Sequence, residues 1–299
     1  MRVTNEMIVT NSVRRLSTRM EQYERSQSKL ATGKEIRKPS EDPSKANRGL
    51  SLRASREARV QEQRNAEDAK TWLNTSDSAL QGAMDRLQRA RELTVQGANA
   101  SDQSAKDGIA REIATIREEL VGIANTKVRG QHVFAGYTPG PAVEATDNGD
   151  GTWTFATNGD ETHAITRRVG DSDKVRINTT AAEAFGDGAD SVLAVLDGLE
   201  GSLRAGDTDA VSATLSDLDD SMERLGGELA RIGANTNWVD SALARSEDSL
   251  YVIQQELAEV EDADYAEAVM DLQMQDMALQ STLQALGRAL PQSLAAFLR

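Results

Sequence analysis

The sequence predicts a mainly α protein with a small β insertion: a long antiparallel, coiled-coil-like helical rod whose N- and C-terminal helices pair. Three observations carry this expectation. Alternating steps of four and three from Val211 to Val260 visit fifteen positions, of which thirteen are apolar; such a seven-residue repeat keeps one seam on a long helix. Between 131 and 187 the period falls to two while Gly, Asn and Asp crowd in, the pattern of short strands joined by tight turns. Aromatic residues make up only 4% of the chain, which favours slender packing of Leu and small side chains over a thick aromatic core.

The elements follow in order. Val9, Val13, Leu16, Met20, Tyr23, Gln27 and Leu30 keep a three-four rhythm, so the chain opens with an amphipathic helix. Thr32-Gly33 supplies its stop and "KPSEDP" an extended break. Asp42 before Pro43 predicts a helix start, with the acid as N-cap and proline at the first helical position. Leu73, Leu80 and Leu87 with Ala83 and Ala90 form one strip; Ile109, Ile113, Ile116, Leu120, Ile123 and Lys127 form another. "GANASDQSAKD" turns the chain between them, and Ser104 with Asp107 has the spacing of a capping box opening the second helix.

After the β segment, "DNGDGTWTFATNGDETHAITRRVGDSDKVRI", the long seam returns, about 75 Å of helix at 1.5 Å per residue if unbroken. Gly226, Gly227 and Gly233 weaken it and allow a kink or short loop. Its phase is lost at "EDADYA" and restarts as Val269, Leu272, Asp276, Leu279, Leu283, Leu286, Leu290, Leu294 and Phe297, with Pro291 expected to bend the run. The pattern divides the chain into paired terminal helices over 1–45 and 262–299, a helical rod over 46–130 and 188–261, and an inserted β-rich outer segment over 131–187. The apolar faces of the terminal helices exceed what a two-helix hairpin buries, and helices without extensive packing rarely persist in water. Ordering on contact with neighbouring copies is the expectation.

Charge supports the antiparallel arrangement. Residues 1–130 hold 24 Lys and Arg against 18 Asp and Glu, while 131–299 hold 10 against 30. Halves of opposite sign attract and set register when they lie side by side. The basic residues alternate with acids instead of clustering, which argues against nucleic acid. No stretch approaches the roughly 20 apolar residues that cross a bilayer, so no membrane insertion is expected. The opening "MRVTNEMIVTNSV" lacks a basic head and apolar run, so the expectation is export, if any, without a cleaved leader.

Catalytic chemistry finds little to stand on, and neither cofactor nor metal is expected. Cysteine is absent, which removes thiolate nucleophiles and Cys-based zinc sites. His132 and His163 lie in or beside the turn-rich segment without a surrounding motif and read as surface side chains. "SKLATGK" resembles a phosphate loop only superficially, since Ser28 stands where the first glycine belongs. Asp147, Asn148 and Asp150 could offer oxygens to calcium, but their spacing departs from an EF-hand and Asn-Gly is a hairpin signal. The acids of 207–264 read as a solvated helix face, and Met270, Met274 and Met277 as packing or an adaptable contact surface.

Five stretches carry a family resemblance: "LATGKEIRKPSEDPSKA" at 30–46, "QRNAEDAKTWLNTSDSAL" at 63–80, "LQRARELTVQGANA" at 87–100, "IAREIATIREELVGIANTKVRGQHVFAGY" at 109–137, and residues 262–299. Together they resemble the flagellin superfamily of bacterial flagella, and within it the hook–filament junction family, over about two thirds of the chain. "PSEDP" and "GQHVFAGY" resemble that family more than true flagellins, whereas "LQRARELTVQ" and "PQSL" are shared with both. The resemblance implies a structural subunit, not an enzyme, that assembles as a ring between the hook-side junction protein and flagellin. It also implies export as an unfolded chain through the flagellar type III apparatus with an export chaperone. The assembly role then falls on Val9, Val13, Leu16, Met20, Tyr23, Leu30, Val269, Leu272, Leu279, Leu283, Leu286, Leu290, Leu294 and Phe297. Pro39, Asp42 and Pro43 would link inner and outer layers. The runner-up is a short flagellin forming the filament itself; an intracellular coiled-coil adaptor and an enzyme hidden in the β segment are weaker rivals.

Overall fold

The computed structural model describes residues 5–158, 163–170 and 173–289. In chain order these form α1 (Asn5–Thr32), α2 (Pro43–Ala98), α3 (Gln103–Ala124), β1 (Lys127–Val128), β2 (Gln131–His132), β3 (Val143–Asp147) and β4 (Trp153–Thr157). Then come β5 (Thr166–Arg168), β6 (Lys174–Arg176), α4 (Ala181–Phe185), α5 (Val192–Ala205), α6 (Thr208–Glu261) and α7 (Tyr265–Ala289). They gather into two compact units: Arg59–Asp248, and Met1–Ala58 with Ser249–Arg299. The sequence limits near 45 and 262 lie close to helix ends, whereas the compact units divide inside α2 and α6.

The Arg59–Asp248 unit owns the dry core. Leu73, Leu80, Leu87 and Leu93 of α2 meet Ile113 and Leu120 of α3, Leu193, Leu196 and Leu199 of α5, and Leu218 and Leu225 of α6, all buried in one cluster. Each such side chain is worth roughly 1.5–3 kcal/mol of gross burial. Along α6 the seven-residue repeat resolves into two grades. Val211, Leu218, Leu225, Ile232, Val239 and Ser246 are buried, while Leu215, Met222, Leu229, Thr236 and Leu243 are half-buried, as expected when one seam position points at a partner helix and the other flanks it. The α2–α6 pairing is antiparallel and bridged by the expected opposite charges, Lys70 to Asp240 at 2.7 Å and Arg91 to Asp219 at 2.6 Å.

Three antiparallel two-stranded hairpins, β1–β2, β3–β4 and β5–β6, lie in the turn-rich segment. Asn148 and Gly149 sit in the turn of the longest, and Gly149 and Gly151 take the left-handed φ that such turns favour. The hairpins are part of this unit's core, with Val133, Phe134, Val143, Phe155 and Val175 all buried. A buried Arg117 fastens them: its guanidinium binds Asp197 and reaches Glu200 at 2.7 Å on α5 while lying 5.3 Å over the Trp153 ring of β4.

Several local expectations change. α6 is one continuous helix through Gly226, Gly227 and Gly233, because packing along its seam outweighs a glycine cost of about 1 kcal/mol each. α3 starts at Gln103 with Asp102 as N-cap, so Ser104 and Asp107 form no capping box. Its register is set instead by contacts with the C-terminal carbonyls of α5: Gln103 Nε2 donates to Leu203 O and Arg204 O, and the buried Lys106 Nζ donates to Gly206 O. Lys127 lies on β1, since α3 ends at Ala124 and Arg129 (φ 50°) and Gly130 (φ 85°) turn the chain back. α5 was not distinguished as a separate helix by sequence, although Ser191 caps it and Gly206 (φ 74°) ends it. Gly97 of α2 lets α5 approach, for a Cβ there would lie 2.6 Å from Leu203.

The other unit contains α1, α7 and the adjoining ends of α2 and α6. α1 stops where expected: Gly33 adopts φ 66° and its N–H returns to Lys29 O. Asp42 caps α2, its Oδ1 accepting from Ser44 N at 3.0 Å and Lys45 N at 2.9 Å. Asp264 does the same for α7, accepting from Ala266 N and Glu267 N. The segment after α1 is stitched to the α6–α7 corner through Glu35 N to Glu261 O and Ala263 N to Gly33 O.

A candidate assembly surface on the paired terminal helices

α1 and α7 run side by side and antiparallel, Gln22 and Arg25 facing Asp271 and Gln275, and the Ser12–Arg19 turns facing Ser281–Leu286. Their amphipathic stripes are too narrow to close over one another. Val13 is 57% exposed, Met20 49% and Leu283 51%. Leu16, Tyr23, Leu30, Val269, Leu272, Leu279 and Leu286 are half-buried. Along the described parts of α1 and α7, the buried side chains are only Ser26 and Ala268. Val9 lies on α1. Leu290, Leu294, Phe297 and Pro291 lie outside the described residues. Asp276, within the α7 seam, is half-buried and accepts from Gln280 Nε2 at 2.9 Å.

Two further features belong to this surface, the first read from sequence as packing or an adaptable contact surface and the second not singled out there. Met270, Met274 and Met277 form an exposed ridge along α7, 57% or more exposed at each position; their i, i+4, i+7 spacing is the legible signal. Between α1 and α7 lies a cleft of about 860 Å³ lined by Arg14, Arg15 and Arg19 with no acid among its lining residues. A run of arginines without acids from Thr10 to Met20 is its sequence trace.

The candidate link is held by charge. Lys34 Nζ lies 2.7 Å from Asp262 and 3.4 Å from Glu261, and Arg53 reaches Glu261 at 2.8 Å. The hydrogen bond to Asp262 raises the Lys34 pKa, and the one from Arg53 holds the Glu261 carboxyl below its usual range. Gly49 makes room for that carboxylate, for a Cβ there would sit 3.1 Å from its Oε1. Farther along, Arg37 N and Lys38 N donate to the Glu41 carboxylate and lower its pKa, while Pro39 and Pro43 remain exposed and Asp42 is spent on its cap.

The other candidate residues have structural roles. His132 Nδ1 lies 2.9 Å from Asn125 O, and both His132 and His163 are half-buried instead of lying on the surface. Asp147 and Asp150 accept from Gly149 N and Thr152 N within the β3–β4 turn. Among the described residues no group of three His, Asp or Glu could hold a metal ion, and no helix is long and apolar enough to cross a membrane.

Comparison with known proteins bears on this geometry. Residues 3–138 match the family described as the bacterial flagellin N-terminal helical region. The chain is 22% identical to flagellar hook-associated protein 3 of Escherichia coli over 95% of its length and 96% of the relative's. It is 25% identical to the flagellin of Bacillus subtilis over 81% of each. Its fold is similar to that of a flagellar hook-associated protein from Vibrio parahaemolyticus, with a TM-score of 0.66 at 23% identity, covering 74% of this chain and all of that structure.

Proposed function

We propose that this chain, a member of the flagellin superfamily, is a structural subunit of the bacterial flagellum that forms the junction between hook and filament. The observation that carries the reading is the unfinished apolar surface of α1 and α7 on a chain matching hook-associated protein 3 almost end to end. Residues 1–45 and 262–299 serve as the inner assembly layer, 46–130 and 188–261 as the rod, and 131–187 as the outer segment. Val9, Val13, Leu16, Met20, Tyr23, Leu30, Val269, Leu272, Leu279, Leu283, Leu286, Leu290, Leu294 and Phe297 form the assembly interface; Pro39, Asp42 and Pro43 form the link.

The mechanism is a division of labour. The Arg59–Asp248 core gives each subunit a stable body before assembly. The terminal helices leave apolar faces in water until a neighbour covers them, which removes roughly 25 cal/mol of penalty per Å² of apolar surface. Polymerisation is thereby confined to the growing end, where neighbours are already arrayed. The partners in this reading are other copies in a ring, the hook-side junction protein, flagellin and an export chaperone that covers the same faces before export.

Labelled protein imaged on cells tests the reading: signal at the hook–filament boundary supports it, and signal along the whole filament supports the flagellin alternative. The likeness to the Bacillus subtilis flagellin gives that alternative its footing. Purified protein that grows long filaments unaided would establish it in place of the junction role.

A further inference from the structure

Sulfur is distributed unevenly in this protein. There is no cysteine, and the eight methionines are the sole sulfur atoms. Met84 and Met222 pack half-buried against the core of the Arg59–Asp248 unit. Met7 and Met20 on α1 and Met270, Met274 and Met277 on α7 are all exposed. The three on α7 stand at i, i+4 and i+7, one continuous thioether ridge beside the apolar stripe of the same helix. A thioether is soft, apolar and adaptable, which suits it to a contact surface, and accessible to two-electron oxidants, which leucine is not.

Resting on the junction reading, we propose that Met270, Met274 and Met277 form an oxidation site that controls assembly: their sulfoxidation by a peroxide-class oxidant prevents an unassembled subunit from docking. The sulfur lone pair attacks the distal oxygen of hydrogen peroxide; an S–O bond forms, the O–O bond breaks, and the departing hydroxide takes up the transferred oxygen's proton to leave as water. The thioether is oxidised by two electrons and the peroxide reduced by two. The product carries a strong S–O dipole where the neighbour expects an apolar surface, so it must be desolvated without a partner when the interface closes. In an assembled subunit the same ridge is covered, so oxidation acts before incorporation and not after it.

The test has two arms on the full-length protein. In the first, purified monomer is titrated with hydrogen peroxide and each methionine is followed by peptide mass. Met270, Met274 and Met277 should gain oxygen ahead of Met84 and Met222; equal or slower reaction overturns the proposal, whatever the protein's role in the flagellum. In the second, pre-oxidised wild-type and M270L/M274L/M277L proteins are supplied to hook-bearing cells that lack the gene. The oxidised wild type should lose its boundary signal while the equally treated triple variant keeps it, and treatment of already assembled protein should change neither. Oxidised wild type that incorporates normally, or a triple variant that fails only after oxidation, overturns the proposal and leaves the junction reading intact. Untreated wild type absent from the boundary defeats both.

Discussion

The two compact units use their helices in opposite ways. In the Arg59–Asp248 unit, five helices, α2 to α6, and three hairpins close around leucines and isoleucines that are buried. In the terminal unit, two amphipathic helices leave Val13, Met20 and Leu283 about half exposed and are held at one end by charged contacts around Glu261. The lesson is that the helical period reports amphipathicity, not whether the apolar face is covered within the same chain. In the proposed function stability resides in one unit and adhesiveness in the other, and substitutions should separate the two.

The largest effect belongs to Arg117. R117A leaves Asp197 and Glu200 without their shared guanidinium in a buried site, and should cost about 3–5 kcal/mol in denaturant unfolding. Leu80→Ala opens a cavity in the same core and should cost about 2–5 kcal/mol by the same measurement. Asp42→Ala removes the α2 cap; a loss of about 0.5–2 kcal/mol is expected, read as earlier proteolysis near residue 42. Smallest is Leu283→Ala, whose half-exposed side chain should leave monomer stability within about 0.5 kcal/mol of wild type while impairing assembly. A large stability loss there would erase the contrast between the units.

Acidity sharpens the same contrast. Arg53 holds Glu261 below the ordinary carboxylate range, so its stabilising contribution is present above that range and lost as pH falls through the lowered value. Lys34 is shifted upward by Asp262, so its contribution is present below the ordinary lysine range and lost as pH rises through the raised value. The Lys34–Glu261–Asp262 corner should therefore be tightest between these limits and loosen on both sides. Amide exchange at residues 33–35 and 261–263 followed across pH checks this, and a monotonic dependence would contradict it.

Much of this was legible in the residues. The α6 seam, the Thr32-Gly33 stop, the Asp42-Pro43 start and the Asn148-Gly149 turn are signals whose cause lies within a few residues. What the pattern missed depends on distant partners. The start of α3 answers to Gln103 and Lys106 meeting the end of α5, a contact spanning about a hundred residues. Lys127 fitted a helical rhythm, but the Arg129-Gly130 turn takes the chain into a hairpin. On the candidate surface the apolar positions were readable from their period and the methionine cluster as packing or contact surface, whereas choosing between those two took the methionines' exposure, and the arginine cleft took the pairing of α1 with α7.

Hydrogen exchange on the full-length monomer, compared with assembled flagella, tests most directly whether the terminal helices are completed by neighbours. In the monomer, amides of α1 and α7 should exchange far faster than those around Leu73–Leu93 of α2, and assembly should slow them to a comparable rate. Monomer protection in α1 and α7 equal to that of α2, unchanged by assembly, would contradict the account.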